Sequence, residues 1–181
     1  QRMVKAETVC TRGRTAGIEA ARDVFYKGEI AERIVDFINR VPVIDGSGKA
    51  HTGLLTTTDF AEWHAALEPA VTVNYRGLDV YKCPSWTQGP VFLQQLTLLE
   101  GFDLAAMGHN SADYLHTWIE CAKLAFADRE AYCGDPAFDD VPLNVLLSKE
   151  YAASRRSLIG EKASPEMRPG DVGRGYPDYA T

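Results

Sequence analysis

The strongest pattern along the chain lies between His109 and Pro136. Apolar residues recur there at Leu115, Trp118, Ile119, Ala122, Ala125 and Phe126, the i, i+3, i+4, i+7 rhythm of a helix with one buried face. Ser111 can accept the free amides of the first turn, and Asp113 suits the positive end of the helix dipole. His116, Thr117, Glu120 and Lys123 fall off the apolar stripe, and Gly134 with Pro136 stops the helix. Upstream, Ile18, Ala21 and Phe25 predict a helix over 15–26 that closes near Gly28. Ile30, Ile34, Val35 and Ile38 predict a second over 29–40, and the two read as a helical hairpin.

Period-two alternation appears once, in VTVNYRGLDVYK. A two-residue Arg76-Gly77 loop sets Tyr75 opposite Leu78, Asn74 opposite Asp79, Val73 opposite Val80 and Thr72 opposite Tyr81, a self-consistent β-hairpin. Thr56 to Thr58 offer a cap for a short helix over 59–66. Pro90 suits the first turn of a helix over 90–100, and 141–147 and 148–159 read as two further short helices. VPVIDGSGKAHTG carries turn chemistry and reads as loop. Residues 1–13 show no clear period and read as a linker or truncated end. Residues 14–159 read as a helical scaffold with the hairpin, and 160–181 as an extended, poorly packed strap.

Composition changes the picture only by exclusion. The 181 residues are 45% hydrophobic and 24% charged, enough for one sizeable core. A formal charge of -6 with no basic run argues against a nucleic-acid surface. Arg155-Arg156, the densest basic pair, reads as a solvated helix face. No apolar run approaches the ~20 residues that span a bilayer.

The residue types that carry chemistry are scattered. Cys10, Cys83, Cys121 and Cys133 are far apart with no CxxC, so buried free thiols are the leading reading. His51, His64, His109 and His116 form no paired ligand motif. Asp135, Asp139 and Asp140 lack the alternating spacing of a calcium loop and read as turn caps. Asp128 and Arg129 read as structural, either one able to enter a buried ion pair. Ser85 lies outside a strand–turn–helix nucleophile setting, and neither Cys83 nor Cys133 has a local motif behind it. No catalytic residue, cofactor or metal is assigned within the chain.

Five ordered segments carry a resemblance: FYKGEIAERIV, GLLTTTDFAEW, LLEGFDLAAMGHNS, AKLAFADREAYCGDP and VPLNVLLSKEYAASR. Together, from about Ala16 to about Gly170, the chain resembles the later part of the large subunit of gamma-glutamyltransferases. PSWTQG departs from the family's Pro- and Ser-rich turn, which points to a divergent branch. The resemblance implies an α+β chain, mostly helical with a β-hairpin, forming a portion of a four-layer αββα N-terminal-nucleophile hydrolase. It implies a precursor that cuts itself, and a partner small subunit that begins with the Thr nucleophile. Thr181 then lies at or just before the processing junction. A Thr hydroxyl is a poor nucleophile, and the α-amino group freed by cleavage supplies its base. The implied substrate is a γ-glutamyl amide such as glutathione, the acyl group passing to water or an amino acid. Two other readings stay open: an acylase acting on another amide, such as a β-lactam side chain, and a non-catalytic structural subunit.

If the helices bury against a second polypeptide, the chain by itself exposes a large apolar patch. Light scattering and binding of an apolar dye test this. A compact monomer that binds no dye contradicts it.

Overall fold

The computed structural model describes residues 1–173 and divides the chain into two compact units, Gln1–Ala66 and Leu67–Thr181. The sequence reading had kept 14–159 as one piece. Thr181 lies outside the described residues.

In the first unit the amino-terminal residues are not a linker. Helix α1 (Arg2–Val9) packs along α2 (Arg14–Tyr26), and Gly17 of α2 is buried against Glu7. Close packing of this kind leaves no long apolar period, which is why the sequence hid it. The reversal between them passes through Gly13 at φ 101°, a backbone region that suits glycine. Helix α3 (Glu29–Arg40) follows, with Glu29 and Glu32 at its positive end and Arg40 at its negative end. Arg2 reaches back to Glu29 at 2.6 Å. The segment expected as plain loop carries a two-residue antiparallel ladder, β1 (Val43–Ile44) with β2 (Ala50–His51). Asp45 Oδ1 closes its turn by accepting from Ser47 N at 2.8 Å. Helix α4 (Thr57–Glu62) starts with a capping box: Asp59 N donates to Thr56 Oγ1, and Thr56 N donates to Asp59 Oδ2. It ends four residues earlier than expected.

In the second unit the hairpin takes the predicted register, β3 (Val71–Tyr75) against β4 (Leu78–Lys82). Arg76 and Gly77 both have positive φ, 50° and 87°, the two-residue loop whose twist matches the strands. Helix α5 (Gly89–Leu99) starts with Pro90 in its first turn and packs on β3, β4, α7 and α9. A short α6 (Leu104–Met107), capped by Asp103, was not anticipated. Helix α7 (Ala112–Tyr132) follows, and Ser111 Oγ accepts from Tyr114 N at 3.1 Å as its cap. Helices α8 (Leu143–Leu146) and α9 (Lys149–Arg156) complete the set among the described residues. The described elements are helices and two small antiparallel sheets, and no helix among them is long and apolar enough to cross a membrane.

The packing of α7 turns the expected face: of its six predicted apolar positions, only Ala125 is fully buried. Thr117, Glu120, Cys121, Leu124, Ala125 and Asp128 are the buried positions of that helix, together with Ala127. Cys121, Leu124 and Ala125 join Val91, Leu98 and Leu99 of α5 and Ala152 of α9 in the main core. Leu115, Trp118, Ile119 and Phe126 stay 39–47% exposed. Two stripes run along one helix. The inner one admits α5 closely and meets Ala152 of α9 in the shared core, and its polar members find partners; the bulkier stripe is left open.

Core packing therefore depends on Leu124 rather than on Trp118. Leu124→Ala is expected to destabilise the chain by about 2–5 kcal/mol. Trp118→Ala should cost under about 1 kcal/mol in the chain by itself, since its ring is already half in water. Urea denaturation of the two variants checks the order, and a larger loss for Trp118→Ala contradicts it.

Candidate functional site

Helix α7 carries two carboxylates on its buried face, and each grips the segment after α9. Glu120 and Asp128 are eight residues apart, so they lie on one side of the helix. Asp128 is fully buried. Its Oδ2 accepts from Gln94 Nε2 of α5 at 2.5 Å, and its Oδ1 accepts from Gly170 N at 2.6 Å and from Arg155 Nη2 of α9 at 3.3 Å. Tyr132 Oη donates to Gly170 O at 2.5 Å, so both backbone groups of Gly170 are held. A Cβ at Gly170 would collide with Tyr151 Oη and with Arg155 Cδ, so any larger residue requires those two side chains to shift.

Glu120 is equally buried and holds the same segment farther up. Its Oε1 accepts from Lys123 Nζ at 2.5 Å and from Ser164 N at 3.3 Å, and its Oε2 accepts from Arg168 Nη2 at 2.9 Å. Arg168 Nη1 also donates to Leu158 O at 2.7 Å. Lys123 Nζ donates to Ser164 O, and Arg155 Nη2 donates to Arg168 O. Val172 is buried with Leu146 and Tyr151 in a second apolar cluster. Residues 160–173 are thus an anchored strap, with no helix or strand of their own, where the sequence reading expected poor packing.

These surroundings set the local acid–base chemistry. Burial pushes the Glu120 carboxyl up, but Lys123, the Ser164 amide and Arg168 outweigh it and hold it below the usual carboxylate range. Burial, then the Asp128 charge, raises the Tyr151 phenol. Burial pushes the Cys121 thiol up to about 12 and also raises Cys133, so neither is poised as a thiolate nucleophile.

The other candidate residues are not brought together. His116 Nε2 donates to Gly160 O at 2.7 Å and so helps start the strap. Asp135 caps its own turn, accepting from Ala137 N at 2.9 Å. Among the described residues no group of His, Cys, Asp and Glu is placed to hold a metal ion. Ser85, Thr87 and Gln88 share an open cleft of about 500 Å³ with Arg129, Cys133 and Asp135. Thr87 Oγ1 accepts from Gly89 N, which opens α5, while buried Ser85 Oγ has no partner among the described residues. Asp128 does enter a buried ion pair, whereas Arg129 pairs with its exposed neighbour Glu130. Arg155 is buried rather than solvated. Glu120, Arg168 and Gly170 were missed as a set. The available signal was two acids off the bulky stripe at eight-residue spacing, followed by an isolated Arg-Pro-Gly.

The family model for gamma-glutamyltranspeptidase matches residues 11–178. The glutathione hydrolase-like YwrD proenzyme of Bacillus subtilis (strain 168) is 38% identical over 152 residues, which is 83% of this chain and 27% of that protein. The acylase ACY 1 proenzyme of Pseudomonas sp. (strain SE83) is 33% identical over 138 residues, 76% of this chain and 23% of that one. The solved structure of LmbA2991HD matches with a TM-score of 0.84 at 46% identity, covering 97% of this chain and 29% of its own. The chain spans about a quarter of the length of the curated relatives it matches.

Removing one side of the lower grip leaves a buried cation unpaired. Asp128→Asn is expected to destabilise the chain by about 3–5 kcal/mol in denaturant titrations; a loss under about 1 kcal/mol contradicts the geometry. Because the folded Glu120 carboxyl sits below its unfolded value, its contribution is complete above the ordinary carboxylate pKa of about 4.3 and fades as pH falls below that. Glu120→Gln should be less stable at neutral pH and show a flatter loss between pH 5 and 3. A variant whose acid profile parallels the parent's contradicts this role.

Proposed function

Since the chain belongs to the gamma-glutamyltranspeptidase family, we propose that it is the later part of the large subunit of an enzyme that cleaves γ-glutamyl amides such as glutathione. The observation that carries this reading is the match to a glutathione hydrolase-like proenzyme across 83% of the chain. A proenzyme is a precursor, and the reading takes it to cut itself at a junction at or just after Thr181, freeing a small subunit headed by Thr.

In that reaction the hydroxyl oxygen of the junction threonine attacks the carbonyl carbon of the residue before it. The C–N bond breaks, and the nitrogen takes the hydroxyl proton to become a free α-amine. Water then cleaves the resulting ester, leaving a carboxylate on the large subunit and restoring the hydroxyl. The new amine serves as base for the same hydroxyl when it attacks a γ-glutamyl carbonyl. The acyl group passes to water or to the amine of an amino acid. The part of this chain is to scaffold the partner subunit and wall the substrate cleft. The half-exposed Leu115, Trp118, Ile119 and Phe126 supply apolar surface for that scaffold.

The second reading, an acylase acting on another amide, draws on the 33% identity to acylase ACY 1 and on Trp86-Thr87-Gln88 before α5. Expression of the full-length gene product separates the readings. A companion fragment whose first residue is Thr, with turnover of a γ-glutamyl anilide at least tenfold above a glutaryl anilide, is the expected result. The reverse preference assigns the acylase. An uncut precursor, or a companion with another first residue, overturns the catalytic reading and leaves a structural subunit.

A further inference from the structure

The open cleft of about 500 Å³ beside the start of α5 is walled by two turns, one before that helix and one after α7. Each turn is fixed by its own bonds. Thr87 N and Thr87 Oγ1 both donate to Pro84 O at 3.0 Å, and a Cβ at Gly89 would lie 2.2 Å from Cys83 O. Asp135 Oδ1 accepts from Ala137 N at 2.9 Å, and Asp135 O accepts from Phe138 N at 2.9 Å. Trp86 Nε1 donates to Glu68 Oε2 at 2.6 Å, which leaves the indole ring, and not its N–H, for the cleft.

The polar groups lining this cleft are largely unspent. Ser85 is 7% exposed, and its Oγ is shut from water with no hydrogen-bond partner among the described residues. The other buried orphans, Tyr151 Oη, Arg155 Nε and Arg168 Nε, belong to the charged cluster around Asp128 and Glu120. Ser85 has no such company, and a buried hydroxyl without a partner is rare enough to need a reason. Gln88 starts α5, yet its side-chain amide caps nothing. Arg129 spends Nη1 on exposed Glu130, and Asp135 spends one of its two carboxylate oxygens. One cation and one anion therefore line a single cleft together with a hydroxyl, a primary amide and an aromatic ring. A bare anion would meet Asp135 as well as Arg129, and a bare cation would meet the reverse. A small molecule carrying both charges satisfies both.

We infer that this cleft binds an α-amino acid, its carboxylate toward Arg129 and Ser85, its ammonium toward Asp135 and its side chain against the Trp86 ring. The remaining guanidinium donors of Arg129 match a carboxylate, which is also the acceptor that the Ser85 hydroxyl lacks. The ammonium donates to the unspent oxygen of Asp135. An indole face whose N–H is already taken favours an apolar or aromatic side chain. The volume lies within the range of small-molecule sites. Reversing the ligand would set like charges together, so the two charged residues fix its orientation as well as its class. The inference goes beyond the function proposed above, because it concerns binding and no step of a reaction.

The test is isothermal titration calorimetry on the full-length gene product with no acyl donor present, so that nothing turns over. L-Phenylalanine is expected to bind. 3-Phenylpropionate, which lacks the ammonium, and phenethylamine, which lacks the carboxylate, should each bind at least about tenfold more weakly. Arg129→Gln should weaken L-phenylalanine by at least about tenfold. Asp135→Asn, which keeps an acceptor for Ala137 N, should also weaken it, yet narrow its advantage over 3-phenylpropionate, because the repulsion of a lone carboxylate is gone. Ser85→Ala removes a hydroxyl that makes no bond. Its melting temperature should hold or rise while affinity falls about three- to tenfold. Should one variant prove insoluble, the other two decide. No binding heat at about 10 mM L-phenylalanine, or equal binding of the three compounds, overturns the site. Binding that the variants leave unchanged puts the amino acid elsewhere and overturns it too. The function proposed above stands in each of those cases, since it is read from the companion fragment and turnover. An uncut wild-type precursor that still binds L-phenylalanine through Arg129 and Asp135 overturns that function and supports the cleft.

Discussion

Carboxylates out of water must find donors or unfold what holds them, and α7 buries two. Asp128 satisfies its charge from three directions: a side-chain amide on α5, a guanidinium on α9 and a backbone amide on the strap. Glu120 does the same with a lysine one turn away, an arginine of the strap and a strap amide. Apart from Lys123, the donors come from segments distant in sequence, so these contacts fix which neighbours α7 has. Apolar packing drives the collapse of α5, α7 and α9, while the paired charges select one arrangement of it. That division of labour explains why the buried face of α7 is the more polar of its two stripes.

The consequence reaches the outside of the helix. Because the inner stripe is occupied by Cys121, Leu124 and Ala125 between the two acids, the bulky stripe from Leu115 to Phe126 faces away from the core. For a whole protein of this size that would be costly exposure. In the function proposed above, that stripe is the surface that meets the partner subunit. On that proposal the same helix has an internal and an external duty, and the two do not compete for side chains.

Much of this was legible in the sequence where structure is local. The hairpin register followed from alternation and a two-residue Arg-Gly loop, because strand pairing across a tight turn has few solutions. The caps at Ser111 and Thr56 followed from side-chain chemistry one turn from a helix start. What periodicity could not give was the choice between two stripes on α7. Hydrophobicity ranks Trp118 and Ile119 above Thr117 and Glu120, yet burial depends on donors that sit 27 to 48 residues away. The strap was misread for the same reason: Arg168 and Gly170 look like a loop until their partners on α7 are known. Helix α1 escaped notice because its packing uses Gly17 and the stem of Glu7 rather than an apolar repeat.

Amide hydrogen exchange across residues 160–173 measures the central claim most directly. If buried carboxylates hold the strap, the amides of Ser164 and Gly170 exchange as slowly as those in the middle of α7, and both quicken together in Asp128→Asn. Exchange at those two amides at the rate of an unstructured peptide, with α7 itself protected, would mean that the grip does not exist.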